Sequence, residues 1–487
     1  MSHRKLRWRL GVTLTSLALV VGLGATTAPA ASASSTVCNK YCDGRDAALA
    51  TGNRIPVTKA AEGRTVQLHL ADDDPMGWAS VESAHQGDQV WLDRSWDGGS
   101  TWADGSKLGN TTTPSGYSGW RTSLFNNDDW NNLKIGYLRA CYKSVSTGTN
   151  YCTGWARTTW NAGNRETQAQ TALASLWHRD NGKFGGNAWW TGAVATSALI
   201  ESMRQTGLHS YAYIIGETYD KNKNDYMGQF RNEFTDDSGW WALVWISAYD
   251  FTGEAKYLNT AKTISDWMDS NWDTQCGGGI YWKNGASYKA SISNSLFLKV
   301  NASLHRRISG DTTYLNRANK AWNWIKSSGL IQSGDGHVLD GMSAGSCTPS
   351  NPGSTYNQGV MINALVEYWN INHNSQVIDT ATLIGDQMTQ RSYYTFNGIL
   401  KDGCEYSSSC SGDVLSFKGP AIRGLAELNR NLSNHPYTTY ITNNANSAES
   451  NAHNAAWMYG SKWDGAFDGV DVGKQSNAVE LYNATHM

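Results

Sequence analysis

Two aspartates stand side by side, Asp236 and Asp237, in the run TDDSGWWALVWISAYD from Thr235 to Asp250. Adjacent like charges repel, and paired surface tryptophans reduce solubility, so folding alone gives no reason for the combination. A cleft that holds two carboxyls beside a flat, apolar ligand does give one. The run reads as a helix start, with Trp241, Val244, Trp245 and Ala248 on its apolar stripe. One acid, or Thr235, suffices to cap that helix; the second acid is then left over. Side chains at a helix start fan by about 100° per residue, so two carboxyls approach without touching. Glycoside hydrolysis by double displacement needs carboxyls about 5–5.5 Å apart, and single displacement needs about 6.5–9.5 Å. Adjacency suits the shorter distance. Trp240 lies off the apolar stripe, which assigns it to a ligand and Trp241 to the core.

Other residues with chemical potential read as structural. Gly341 to Gly345 spells G-x-S-x-G, but HVLD before it and SCTPSNPG after it do not supply the strand and helix of a nucleophile elbow. Asp72-Asp73-Asp74 reads as a solvated turn before Pro75 rather than a calcium site. SWDGGSTW (Ser95 to Trp102) has the form of an Asp-box hairpin; a single copy argues for a capped turn rather than a sialidase blade. Eight cysteines make an even set suited to an oxidising compartment. Cys38/Cys42, Cys141/Cys152 and Cys404/Cys410 are close in sequence and leave Cys276 and Cys347; spacing also leaves crossed pairings such as Cys38–Cys141 open. Few histidines accompany these cysteines, so no metal site is expected.

The elements that must position the acids fall into two sets. From Cys38 to about Trp160, RTVQLHL, DQVWLDRSW and LKIGYLRACYKSV are strand-length runs between Gly, Asp, Asn and Ser clusters. From about Asn161 the period becomes helical, as in AVATSALIESMRQ, LFLKVNASLHRR and VMINALVEYWN. TGEAKYLNTAKTISDWM and SGDTTYLNRANKAWNWI align without gaps, with Gly253 and Gly310 in register. Each reads as the loop and second helix of a hairpin. About a dozen such helices stack as an open solenoid or close into an α/α barrel with a cleft at one end.

The amino terminus reads as a secretory signal over residues 1–35. MSHRKLRWR is basic, GVTLTSLALVVGLGATT is apolar, and small residues follow at Ala28-Pro29-Ala30 and Ala31-Ser32-Ala33. The chain is therefore expected to be secreted and extracellular, with an accessory β-rich domain over 36–160 and a helical catalytic domain over 161–487. The 40 basic and 42 acidic residues nearly cancel, which argues against nucleic acid and against electrostatic membrane docking. A neutral partner fits, and 23 Trp with 23 Tyr in 487 residues supply aromatic faces for sugar stacking.

Three segments carry a resemblance: DDSGWWALVWISAYDFTGE, CGGGIYWKNGASYKASISNSLFL, and TYNQGVMINAL with the later CEYSSSCSGDVLSFKG. In order and spacing, the half from Asn161 onward closely resembles glycoside hydrolase family 76, the endo-α-1,6-mannanases. The resemblance implies an all-α (α/α)6 barrel behind the β-rich domain and a retaining mechanism on α-1,6-mannan or mannooligosaccharides. It places the nucleophile on Asp236 and the general acid/base on Asp237, with subsites from the loops carrying Trp190, Trp240, Asp340, Tyr356 and Gln358. No cofactor is implied, and a monomer is expected. One departure is Ala290, where family members often carry Asn. Transglycosylation shares the covalent intermediate of hydrolysis, so no residue separates them; retention of both acids argues against an inactive sugar-binding protein. The β half is expected to be dispensable for chemistry on soluble oligosaccharides.

Overall fold

In a computed structural model of the chain, the described residues are 36–38, 41–72, 74–158, 164–185, 189–207, 209, 211–406 and 410–487. The signal-peptide region, residues 1–35, lies outside them.

The first half is two antiparallel sheets. One orders β1 (Arg54–Ala61), β2 (Arg64–Ala71), β3 (Met76–Glu82) and β6 (Gly119–Arg121), with β7 (Phe125–Asn126) also on β3. The other orders β5 (Leu108–Thr112), β4 (Gln89–Ser95), β8 (Tyr137–Lys143) and β9 (Asn150–Cys152). Alternate residues of facing strands meet between the sheets: Val66, Leu68 and Leu70 of β2 cluster with Leu92 of β4 and with Leu138 and Ala140 of β8. Burying one face per strand fixes the register, because a slip of one residue would turn the apolar set outward.

The Asp-box residues close a turn on themselves. The Ser95 hydroxyl donates to Asp97 Oδ1 at 2.7 Å, and the Thr101 hydroxyl donates to Asp97 Oδ2 at 2.7 Å. Asp72 pairs with Arg54 at 2.7 Å and Asp74 with Arg45 at 3.1 Å, so two of the three acids at that turn are spent in ion pairs; Asp73 lies outside the described residues. The disulfides are Cys38–Cys42, Cys141–Cys152, Cys276–Cys347 and Cys404–Cys410, with no crossed pairing. Asp93, Cys141 and Cys152 converge closely, but both sulfurs are bonded to each other and offer no thiolate.

Among the described residues twelve α-helices follow: α1 (Arg165–Arg179), α2 (Trp189–Thr206), α3 (Tyr213–Asn222), α4 (Thr235–Thr252), α5 (Ala255–Asp269), α6 (Ser291–Arg307), α7 (Thr313–Ser328), α8 (Thr355–Asn372), α9 (Ser375–Gln390), α10 (Lys418–Asn431), α11 (Thr438–Asn451) and α12 (Val472–Ala484). The even-numbered helices pack in sequence, α2 on α4, then α6, α8, α10 and α12, and α12 returns to α2. The odd-numbered helices lie outside that ring, each against its neighbours. The even helices are buried nearly all round (α12 from Val472 to Ala484 without interruption), while α5, α7 and α9 bury one stripe. The repeat units match this layout. Gly253 ends α4 at φ 75° and Gly310 precedes α7 at φ 73°, left-handed positions that favour glycine.

Sandwich and ring meet through buried side chains. Trp130 lies flat on His178 of α1, centroids 3.5 Å apart and planes at 9°, and Ile135 belongs to the apolar cluster of the ring. Arg54 of β1 also donates to the Arg157 and Thr158 carbonyls in the connecting segment at 3.0 and 3.1 Å.

Candidate active site

The amino ends of the even helices gather at one end of the ring, tied by side chains. Asn357 at the start of α8 donates to the Ser291 hydroxyl at the start of α6 at 3.0 Å. Gly419 of α10 donates its amide to Asn477 of α12 at 2.6 Å. Aromatic contacts join the rest: Trp190 of α2 stacks on Trp240 of α4 at 5.7 Å, and Tyr356 of α8 lies on Phe417, before α10, at 3.9 Å and 7°.

Helix α4 begins at Thr235, and the residue in the cap position, Phe234, makes no side-chain cap bond. Neither acid is spent as the cap that the sequence allowed. Thr235 instead donates its hydroxyl to the Tyr281 and Trp282 carbonyls at 2.6 and 3.1 Å, anchoring the helix start to that loop. The loop returns a donor: Trp282 Nε1 reaches Asp236 Oδ2 at 3.0 Å. Asp236 Oδ1 accepts the Asp237 amide at 3.0 Å. Asp237 Oδ2 accepts from Asn232 Nδ2 at 2.7 Å, and the same asparagine accepts the Phe234 amide through Oδ1, which fixes its orientation.

Both carboxyls keep partial contact with solvent. Burial, and then the Asp237 charge, push the Asp236 carboxyl well above the ordinary aspartate range, against the hydrogen bonds it accepts. Burial raises Asp237 as well, opposed by the Asn232 bond and reinforced by Asp413. Like charges this close oppose each other's ionisation, so the pair retains a proton at a pH where isolated aspartates have lost theirs.

The expected binding residues divide. Trp190 donates Nε1 to Asp413 Oδ1 at 3.1 Å while stacking on Trp240. Trp240 keeps only 9% of its surface, so it is a wall rather than a projecting platform. Trp241 is 1% exposed and stacks on Trp245 at 5.7 Å. Asp340 of β11 (Leu339–Ser343) accepts the Tyr288 hydroxyl from β10 (Tyr288–Ala290) at 2.6 Å. Burial lifts the Tyr356 hydroxyl well above its usual value, and charges of Asp236, Asp340 and Asp413 add to this, which groups the three acids around it.

Gln358 departs from the expectation. It is fully buried, its Oε1 accepts the Val338 amide at 2.9 Å and its Nε2 donates to the Val338 carbonyl at 2.9 Å. Both ends of the amide are occupied by backbone, so Gln358 clamps the segment before β11 and does not face a ligand. Ser343 closes β11, which turns into β12 (Pro349–Pro352) rather than a helix, so G-x-S-x-G forms no nucleophile elbow. Ala290 occupies the cap position of α6 with no side-chain cap bond; an asparagine there could supply one.

Sequence reasoning missed Asn232, Trp282 and Asp413. It also missed Lys289, whose fully buried ammonium pairs with Asp273 at 2.6 Å and donates to the Gln275, Gly278 and Gly279 carbonyls, pinning the CGGG loop. The signal for Lys289 was its place in the YKAS run, whose glycine-rich partner is fixed only by folding.

With this geometry in hand, comparison with known proteins is specific. The sequence profile of glycosyl hydrolase family 76 matches residues 161–487. A putative mannan endo-1,6-alpha-mannosidase of Schizosaccharomyces pombe is 29% identical over 329 residues, 61% of this chain and 73% of that protein. A mannan endo-1,6-alpha-mannosidase of Saccharomyces cerevisiae is 26% identical over 324 residues, 60% and 70% of the two chains. Among solved structures, an alpha-1,6-mannanase of Salegentibacter superposes with a TM-score of 0.61 at 24% identity, covering 66% of this chain and 98% of that one. An inactive variant of that enzyme with two adjacent aspartates replaced, in complex with alpha-1,6-mannotetrose, gives a TM-score of 0.60 at 22% identity over 66% and 98%.

Proposed function

The chain belongs to glycosyl hydrolase family 76, and on that premise we propose that it is a secreted, retaining endo-α-1,6-mannanase acting in an (α/α)6 barrel. The observation that carries this is the pair Asp236 and Asp237, held uncapped at the start of α4 with both carboxyls buried enough to share a proton. The closed ring of even helices supports the barrel, and a relative in which two adjacent aspartates were replaced for inactivity supports the pair.

Asp236 accepts two N–H bonds and Asp237 one side-chain amide. Both carboxyls are raised in pKa and the pair keeps a proton; the assignment of Asp236 as nucleophile and Asp237 as acid follows the order of the pair in the family resemblance, with the retained proton on Asp237 when the sugar is bound. The Asp236 carboxylate attacks the anomeric carbon as Asp237 gives its proton to the departing O6. A mannosyl ester on Asp236 forms and the glycosidic bond breaks. Asp237, now ionised, takes a proton from water as the water oxygen displaces the ester, which restores the α configuration and frees Asp236. Trp190, Trp240 and Tyr356 give the sugar chain apolar faces, and Asp340 and Asp413 accept its hydroxyls.

Incubation with linear α-1,6-mannan should yield short oligosaccharides early, and NMR should show the α anomer first. β product at early times would overturn the retaining mechanism. An added mannoside that is extended at the expense of free reducing ends would instead identify a transglycosidase.

A further inference from the structure

Two buried carboxyls that take no part in the chemistry above lie beside the cleft. Asp402 is 3% exposed and Glu405 5%, and the ammonium beside them, Lys418, is 2% exposed. The side chain of Asp402 is bonded to the first residue of α8: Oδ1 accepts the Thr355 amide at 3.1 Å, and the Thr355 hydroxyl donates to Oδ2 at 2.8 Å. The Asp402 amide donates to Glu405 Oε1 at 3.1 Å. Glu405 in turn pairs with Lys418, the first residue of α10, at 3.0 Å. Lys418 also donates to the Ser461 carbonyl at 2.5 Å and lies 4.3 Å from the centre of the Trp463 ring.

This chain of bonds closes on the cleft. Tyr356 follows Thr355 and Phe417 precedes Lys418, and these two rings lie flat on each other, 3.9 Å apart. Thr355 is buried, whereas Tyr356 keeps part of its surface. One side of the circuit is thus a buried ionic tie and the other an aromatic face, joined through one peptide link at the start of each helix. Trp190 lies 6.1 Å from Phe417 and stacks on Trp240, which continues the face along the cleft.

Capping does not account for Asp402. Ser354 and Asn357 already cap α8 reciprocally, and a buried carboxyl costs stability that a neutral group would not. Two acids against one ammonium raise that cost; burial, then the Glu405 charge, push Asp402 up to about 7. What the arrangement supplies is direction. Stacked rings accept a range of offsets, while charge-assisted bonds from one helix start to the next leave little latitude. We propose that Asp402 is a positioning residue for sugar binding: with Glu405 and Lys418 it locks the starts of α8 and α10 together, so that Tyr356 and Phe417 present one fixed face to the mannoside that the reading of the cleft above places there.

Asp236→Asn in the full chain prevents turnover, and calorimetric titration with α-1,6-mannotriose then reads affinity alone. Added Asp402→Ala and added Tyr356→Ala should each weaken binding about tenfold, and the two together should do no more than Tyr356→Ala by itself, because one acts through the other. Asp402→Asn keeps an oxygen for Thr355 and should recover most of the affinity. With Asp236 intact, Thr355→Val should raise KM and leave kcat unchanged, the pattern of binding lost equally from ground and transition states. Should Asp402→Ala not fold, Thr355→Val closes the same cycle with Tyr356→Ala. Additive losses, or a folded Asp402→Ala chain with unchanged affinity, would overturn the proposal alone. An Asp236→Asn chain that binds no α-1,6-mannotriose would instead defeat the reading of the cleft, and the proposal with it.

Discussion

Trp282 and Asp236 are joined across 46 residues by an indole N–H bond of 3.0 Å, and Thr235, one residue before the acid, holds the loop that carries the tryptophan. The nucleophile candidate and its donor are thus fixed by the same anchor. Trp282→Phe keeps most of the ring and removes the donor. The indole bond holds the Asp236 pKa down, so its loss should raise that pKa further and move the acidic limb of the kcat/KM profile to higher pH. Trp282 is 38% exposed, so melting should barely change; an unmoved limb would remove Trp282 from the mechanism.

Asp236→Asn and Asp237→Asn should each cost several orders of magnitude on mannan, because an amide neither attacks nor donates as a carboxyl does. On a mannoside with an activated aryl leaving group, Asp237→Asn should still release the aryl group and Asp236→Asn should not. The reverse pattern would exchange the two roles.

The raised carboxyls also set a stability trend. Above the ordinary aspartate value near 3.9 the unfolded chain has lost both carboxyl protons while the folded Asp236–Asp237 pair retains one. The native state then binds more protons, so stability falls as pH rises from about 4 through the raised folded value and is flat beyond it. Asp236→Asn removes this loss. Its melting temperature should equal that of the parent below about pH 4 and exceed it progressively at higher pH, as differential scanning calorimetry across pH would show.

Trp241 is 1% exposed and packs on Trp245, Phe230 and Trp189, so Trp241→Ala should cost about 3–5 kcal/mol of stability. Its Nε1 has no hydrogen-bond partner among the described residues, so Trp241→Phe should cost much less. Trp240→Ala should cost less stability than Trp241→Ala and weaken oligosaccharide binding instead; chemical denaturation and titration of mannotriose together separate the two faces.

A chain beginning at Asn161 loses Trp130 from His178 and Ile135 from the ring cluster. It should melt several degrees below the full chain, yet turn over soluble oligosaccharide at an unchanged kcat well below its melting point. A folded but inactive truncation would place the sandwich in the chemistry.

Asp236 and Asp237 stand out in the sequence because two adjacent acids exceed what a cap requires, and the helices because their apolar residues recur at three- and four-residue spacing. Their donors were not. Asp413 meets Trp190 across 223 residues and Trp282 meets Asp236 across 46, distances at which local pattern carries no information. Gln358 misled for a related reason. A first-turn amide at a candidate cleft reads as a sugar contact until Val338 is found to occupy both of its ends. The seam between the halves was equally silent, since His178 looks like an ordinary helix-end residue until Trp130 covers it.

The return of α12 to α2 bears on how the molecule assembles. Asn483 Nδ2 donates to the Ala198 carbonyl at 3.0 Å across 285 residues, so α12 completes the wall begun by α2. A solenoid can accrete repeat by repeat and tolerate ragged ends; this ring has no stable partial form of that kind. Nearly the whole helical chain must be present before the closing contact repays its loop entropy. Folding of the ring should therefore be slow and all-or-none, and loss of the last turn of α12 should unseat Trp190 and Asp236 on α2 and α4.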